Sequence, residues 1–276
     1  MGTVHALLLA AVLLAPASPS PDPRLLEFCG LVRGCGLPGG AVVCPSAPTG
    51  GVKGVQYDAR RCEAPRALVA RGVTPDAPRH YGLFRFLGRR YQVAYDVTGD
   101  LPLSPVRLSY LVEDLPLAAR LLTHFQGVAY SAEYLDADRS RLKTSRAGTL
   151  AAEAEQVSGS TSEGVLYYYG NGTSQMGPWK LRGQALVEVR YQPATAGRGL
   201  HYRIRILASP ANAVINAFMN LWLFKSVLRG KVEEVLRDIT QASAKLDRQG
   251  LSGLTAAAGF TDDEKRRIAA LLARPG

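Results

Sequence analysis

Residues 180–248 read KLRGQALVEVRYQPATAGRGLHYRIRILASPANAVINAFMNLWLFKSVLRGKVEEVLRDITQASAKLDR, and the fold turns on this stretch. Leu181, Gly183, Ala185, Val187, Val189 and Tyr191 alternate with Lys180, Arg182, Gln184, Glu188 and Arg190. Beyond residues 193–199, Tyr202, Ile204 and Ile206 alternate with His201, Arg203 and Arg205. A period of two belongs to strands whose faces meet different surroundings, and the short connection predicts an antiparallel hairpin. Ser209-Pro210 ends the pattern, and the period then changes. Val214, Phe218, Leu221, Leu228, Val232, Val235, Ile239, Ala242 and Leu246 follow steps of three and four, with Lys225 at the one polar site of the stripe. This predicts a helix over 211–248, about 35 residues long and far above the usual length.

Working outward, Tyr91, Val93, Tyr95 and Val97 alternate with Arg90, Gln92, Ala94 and Asp96, which predicts a half-buried strand. Ser104-Pro105 is a helix cap followed by proline at the first helical position. Asp114 and Pro116 restart the helical pattern and Gly127 stops it, so two short helices at an angle are expected. Alternation at Val128, Tyr130, Ala132 and Tyr134 opens a meander. Further strands are expected over 139–145, 149–157 and 165–169, with loops at 158–164 and from Gly170-Asn171-Gly172 to Gly177-Pro178. A tail helix opens with the capping box Thr261-x-x-Glu264 and runs to Leu272.

Ala6 to Ala15 is an apolar run too short to span a bilayer, and Ala15-Pro16-Ala17 is a small-residue cleavage pattern. Residues 1–17 therefore read as a signal peptide for export from a bacterial-type cell, to a periplasmic or secreted location. Cys29, Cys35, Cys44 and Cys62 all follow within one short stretch, which predicts two disulfides with the pairing open. A four-thiolate zinc site would favour a C-x-x-C pair, and none occurs, so no metal is expected. The surrounding segment, 18–79, is rich in Gly and Pro and favours loops over helices, with the crosslinks supplying order. The organisation that follows is a signal peptide (1–17), a stapled extension (18–79), a main domain (80–249) and a tail (250–276).

The formal net charge is +10 at 47% hydrophobic and 20% charged residues, a composition of a folded chain with a sizeable core. The charges are dispersed, which speaks against nucleic acid as a partner; an anionic membrane surface remains a candidate through Arg182, Arg190, Arg203 and Arg205.

The order of strand, two short helices, antiparallel meander and long terminal helix resembles the helix-grip fold of the START-like (SRPBCC) superfamily, which includes polyketide cyclases and lipid-transport proteins. The resemblance covers roughly residues 81–248 and lies in element order. It implies an α+β fold in which a curved antiparallel sheet wraps one long C-terminal helix. It also implies an apolar cavity between them for a lipid-like molecule, without a cofactor. Candidate lining residues are Tyr91, Tyr95, Tyr167, Tyr169, Tyr191 and Tyr202 on strands, with Phe218, Leu221, Trp222 and Lys225 on the helix. Ordinary core packing competes for each, because alternation selects a face and not a void.

No H-E-x-x-H, G-x-S-x-G or Walker pattern occurs, and the histidines after the signal, His80, His124 and His201, are scattered, so no catalytic residue is assigned. The leading expectation is an exported binding or transfer protein for an apolar small molecule. The alternatives are a cell-envelope interaction protein using its basic sheet face, and an enzyme of cyclase or hydrolase type.

Overall fold

Cys29 is bonded to Cys44 and Cys35 to Cys62, which resolves the pairing the sequence left open. The computed structural model describes residues 23–38, 44, 59–74, 77–89, 93–176, 179–194, 199–211, 222–255 and 259–274. The expected signal segment lies outside them. Three helices precede the sheet: α1 (Pro23–Cys35), α2 (Ala59–Ala70) and α3 (Tyr81–Leu87). The first two replace the loops expected of this extension. Half of its glycines and prolines fall between Cys35 and Ala59, outside the helices, so composition averaged over the segment hid two short helices. What orders those helices is burial of Phe28, Leu31 and Leu68 together with the disulfides.

β1 (Val93–Leu101) leads into α4 (Pro105–Glu113), where the Ser104 hydroxyl accepts from the Arg107 amide at 3.3 Å. Asp114 caps α5 (Leu115–Gln126) in the same way, accepting from the Leu117 amide at 3.2 Å. Gly127 then closes α5 at φ 67°, in the left-handed region that glycine enters without a Cβ penalty. Six strands follow as a meander: β2 (Tyr130–Tyr134), β3 (Arg141–Arg146), β4 (Leu150–Ser160), β5 (Val165–Met176), β6 (Trp179–Pro193) and β7 (Leu200–Pro210). The curved seven-stranded sheet has the order β1-β7-β6-β5-β4-β3-β2, with every pair antiparallel. β1 and β2 stand at opposite edges because α4 and α5 carry the chain across. A bulge at Gln156/Ser158 adds bend to β4.

α6 (Trp222–Thr255) lies on the concave face, and α7 (Asp262–Leu272) packs beside it behind the Thr261/Glu264 capping box. This is the helix-grip architecture. The described part of the long helix starts at Trp222, so Val214, Phe218 and Leu221 lie outside the described residues. At its other end it runs past the expected residue 248, through Gly250 and Gly253. Leu254 is fully buried there beside Phe260 and Ile268, and tertiary burial outweighs the poor helix propensity of the glycines. The tail is therefore docked, further tied by Arg267 to Asp114 at 2.6 Å and Arg120 to Glu264 at 3.0 Å.

Gly170-Asn171-Gly172, read as a turn, lies inside β5. A Cβ at Gly170 would stand 2.0 Å from the Glu153 carbonyl oxygen, so this glycine permits close approach of two strands and marks no reversal.

The sheet is buried on both faces over its middle strands, while the convex sides of β2, β3 and the start of β4 are exposed at Ser131, Glu133, Lys143, Ala151 and Glu153. On the convex side Phe28, Leu31, Leu68, Phe84 and Phe86 cover Tyr167, Leu186 and Leu207. On the concave side Leu117, Leu121, Phe125, Leu246 and Leu271 pack with Leu166, Tyr191 and Tyr202. Because the Cys35–Cys62 crosslink ties α1 to α2 across 27 residues, the double change Cys35→Ser/Cys62→Ser should cost about 2–4 kcal/mol. Chemical denaturation of the oxidised proteins measures this; an unchanged midpoint would show that the extension needs no staple.

Candidate ligand cavity

Side-chain volume along the concave face falls in steps set by strand register. One cross-sheet row pairs Tyr191 with Tyr202, and the next but one pairs Tyr168, Val187 and Ile206. The row after that is Ala154, Gly170, Ala185 and Ala208, followed by Ala152, Gly172, Gly183 and Pro210. Above these small residues α6 presents Leu228, Val232, Val235, Leu236 and Ile239. A straight helix cannot follow a floor that drops away by the length of a tyrosine. The result is a cavity of about 400 Å³, lined almost wholly by carbon.

The helix is held at its height by polar contacts on either side. Arg146, only 10% exposed, bridges Glu234 at 2.8 Å and Asp238 at 3.3 Å, and Lys231 meets Glu234 at 2.9 Å. Arg146 Nε also donates to Tyr130 Oη at 2.9 Å, and that hydroxyl donates to Asp238. Burial, and then this bond to a carboxylate, pushes the Tyr130 phenol up to about 12. Across the sheet Tyr95 Oη donates to Glu233 at 3.3 Å. Farther along, Lys245 donates to the Phe125 carbonyl at 2.6 Å and Gln126 to that of Asp238 at 2.8 Å.

The expected site residues are dispersed. Tyr91, Phe218 and Leu221 lie outside the described residues, and Trp222 and Lys225 lie in α6 with side chains outside the description. Tyr95 stands at the helix flank. Tyr191 and Tyr202 are on the concave face but in solid packing: Tyr191 Oη donates to the Thr161 carbonyl at 3.0 Å, and Tyr202 fills the space over Gly99. Tyr167 and Tyr169 face the convex side beneath the extension, Tyr169 donating to the Gly82 carbonyl at 3.2 Å. Their intervening neighbour Tyr168 lines the cavity, with burial raising its phenol to about 12. Alternation could not choose between them, because a sheet covered on both sides is apolar on both.

Three of the four arginines named for this face are engaged within the molecule, while Arg182 is exposed. Arg203 forks onto Asp96 at 2.6 and 3.0 Å, and buried Arg205 meets Glu63 at 2.7 Å. Arg190 pairs with Glu188. The Arg205 hydrogen bond holds the Glu63 carboxyl below its ordinary range. His124 packs edge-on to Phe125 and beside Phe260, His201 meets Asp100 at 3.0 Å, and His80 faces the Thr74 carbonyl; none lines the cavity.

Fold and cavity together define a helix-grip domain with an apolar interior. No family model matches the chain, and no curated protein matches its sequence. Among solved structures it is similar to Ara h 8.0201, with a TM-score of 0.41 and 9% identity over 56% of this chain and 97% of that one. It is also similar to the Zhui aromatase/cyclase from Streptomyces sp. R1128, at 0.36 and 14% over 62% and 100%. The protein XoxI from Bacillus cereus gives 0.38 and 10% over 56% and 99%. At such low identity and superposition, function has to be argued from the cavity itself.

Two measurements check the pins around α6. Arg146→Ala leaves Asp238 without its cation and should cost about 3 kcal/mol or more, read from denaturant midpoints; a loss under about 1 kcal/mol would remove this cluster from the account. Tyr130 and Tyr168 have folded pKa values raised to about 12 from 10.0. Unfolded phenols ionise first, so this stability is whole below pH 10.0 and lost as pH climbs to about 12. Thermal melts across that window, paired with phenolate absorbance, should show late-titrating tyrosines and falling stability.

Proposed function

We propose that the protein is an exported carrier that holds one apolar small molecule between its sheet and α6. The observation that carries this reading is the floor of Ala152, Ala154, Gly170, Gly172, Gly183, Ala185 and Ala208 beneath a helix that does not descend to it. An empty apolar space of this size forfeits dispersion contacts, and an apolar guest restores them while leaving water. Export is supported by two disulfides, which persist in oxidising compartments, and by the signal-like first residues. Among the described residues no helix is long and apolar enough to cross a membrane.

The rival reading, an anionic membrane held by a basic sheet face, is weakened by the pairing of Arg190, Arg203 and Arg205 with carboxylates of the same molecule. Reversing those charges would break the fold's own ion pairs.

Protein purified from its native host should release an apolar compound into organic solvent, detected by mass spectrometry. Gly172→Leu should abolish that release without lowering the melting temperature, because a Cβ there meets only Ala151 O at 3.4 Å and Ala152 Cβ at 3.6 Å and the side chain then enters the cavity. Added guests of one homologous series should gain about fourfold in affinity per methylene, from about 0.8 kcal/mol each, until the space is full. A Gly172→Leu protein that still carries the compound would defeat the assignment of this cavity.

A further inference from the structure

The cavity's few polar groups select the guest further. Among its inward-facing side chains, two hydroxyls stand without a hydrogen-bond partner. Ser174 Oγ is buried and unsatisfied. Tyr168 Oη makes no hydrogen bond among the described residues. Both belong to the same face of β5, with Gly170 and Gly172 between them. Six residues of extended strand separate them, about 20 Å at the rise of a β-strand. Tyr168 stands in one row with Val187 and Ile206, on the side of the packed Tyr191–Tyr202 row, and Ser174 stands at the far end of the glycine floor. Ser174 Oγ is buried without a partner, whereas Tyr168 belongs to the cavity lining, where a guest oxygen would give its hydroxyl the partner it lacks among the described residues. Burial keeps the Tyr168 phenol protonated at any physiological pH, so it is a donor.

Charge in the same space is already balanced. Among the described residues Lys231 is the one helix cation in the lining, and it meets Glu234, which Arg146 also holds; Arg146 in turn meets Asp238. Two cations thus face two carboxylates. Glu153 and Arg182 border the cavity as well, one of each sign, but both are exposed and occupy the alternate positions of their strands. Among the described residues the cations that face this interior, Lys231 and Arg146, already hold carboxylates, so a carboxylate entering it would lose its hydration without gaining either of them.

Resting on the carrier reading, we infer that the guest is an uncharged amphiphile, of the class of long alcohols, ketones or esters. Its oxygen accepts a hydrogen bond from Tyr168, and its chain lies over Gly170 and Gly172 towards Ser174.

The test uses the full chain with both disulfides formed and the neutral fluorescent probe N-phenyl-1-naphthylamine, displaced at pH 8 by 1-dodecanol, by dodecanoate or by dodecane. Dodecanol should displace the probe at a concentration at least tenfold below that of dodecanoate. Tyr168→Phe, which keeps the ring, should weaken dodecanol five- to tenfold relative to dodecane measured on the same variant. Equal displacement by dodecanoate, or a Tyr168→Phe protein that binds dodecanol as before, would overturn the inference while the carrier reading stands. Failure of the probe to bind at all would overturn both. The comparison of alcohol with carboxylate needs no variant, so a folding defect in Tyr168→Phe cannot blur it.

Discussion

A helix cannot bend into a hollow, and the concave face of this sheet becomes hollow along its length. Where Tyr191, Tyr202 and Leu166 project from the strands, α6 and the helices beside it meet them in solid contact. Where Ala154, Gly170, Ala185 and Ala208 follow in register, the same axis leaves empty space. The cavity is therefore a mismatch between a helix, which can curve only gently, and a surface of falling relief. No single residue makes it; four strands have to arrive in step.

Such a mismatch collapses unless something keeps the helix from sinking. The Arg146 cluster does so on the β2–β3 side, and Tyr95 with Glu233 on the β1 side. Buried ion pairs contribute little net stability when replaced by apolar groups of the same shape, but they hold geometry, since breaking one strands a charge. The C-terminal end is anchored differently, by Leu246 and Leu254 packed against Phe260, Ile268 and Leu271. The helix is thus fixed at one end by packing and along its length by charge, over a floor it does not touch.

The convex face carries the second peculiarity. In place of a solvated sheet surface it bears a disulfide-stapled layer of α1, α2 and α3, through which Tyr167, Leu186 and Leu207 are buried. Glu63 of α2 reaches Arg205 of β7, so the layer is joined to the sheet by charge as well as by apolar contact. Within the sheet itself Arg203 pairs with Asp96 and Arg190 with Glu188, so these arginines of the apparent basic patch also meet carboxylates of the same chain.

Local chemistry was legible in the sequence. Ser104-Pro105, Asp114, Gly127 and the Thr261/Glu264 box act within one helical turn, and each acts in the structure as its neighbours demand. The order of elements and the α+β class followed from changes in hydrophobic period, which are local too. Register was not legible, because pairing Ala154 with Gly170, Ala185 and Ala208 joins positions up to 54 residues apart. Nor could alternation tell Tyr168 from Tyr167 and Tyr169 once both faces were covered. By itself, then, the sequence determined most strands and helices of the main domain and that a long helix follows a meander, but not α1, α2 or the continuation of β5 through Gly170 and Gly172. Only the tertiary structure decided which face is concave and where side-chain volume runs out, because those depend on contacts between residues that the chain keeps far apart.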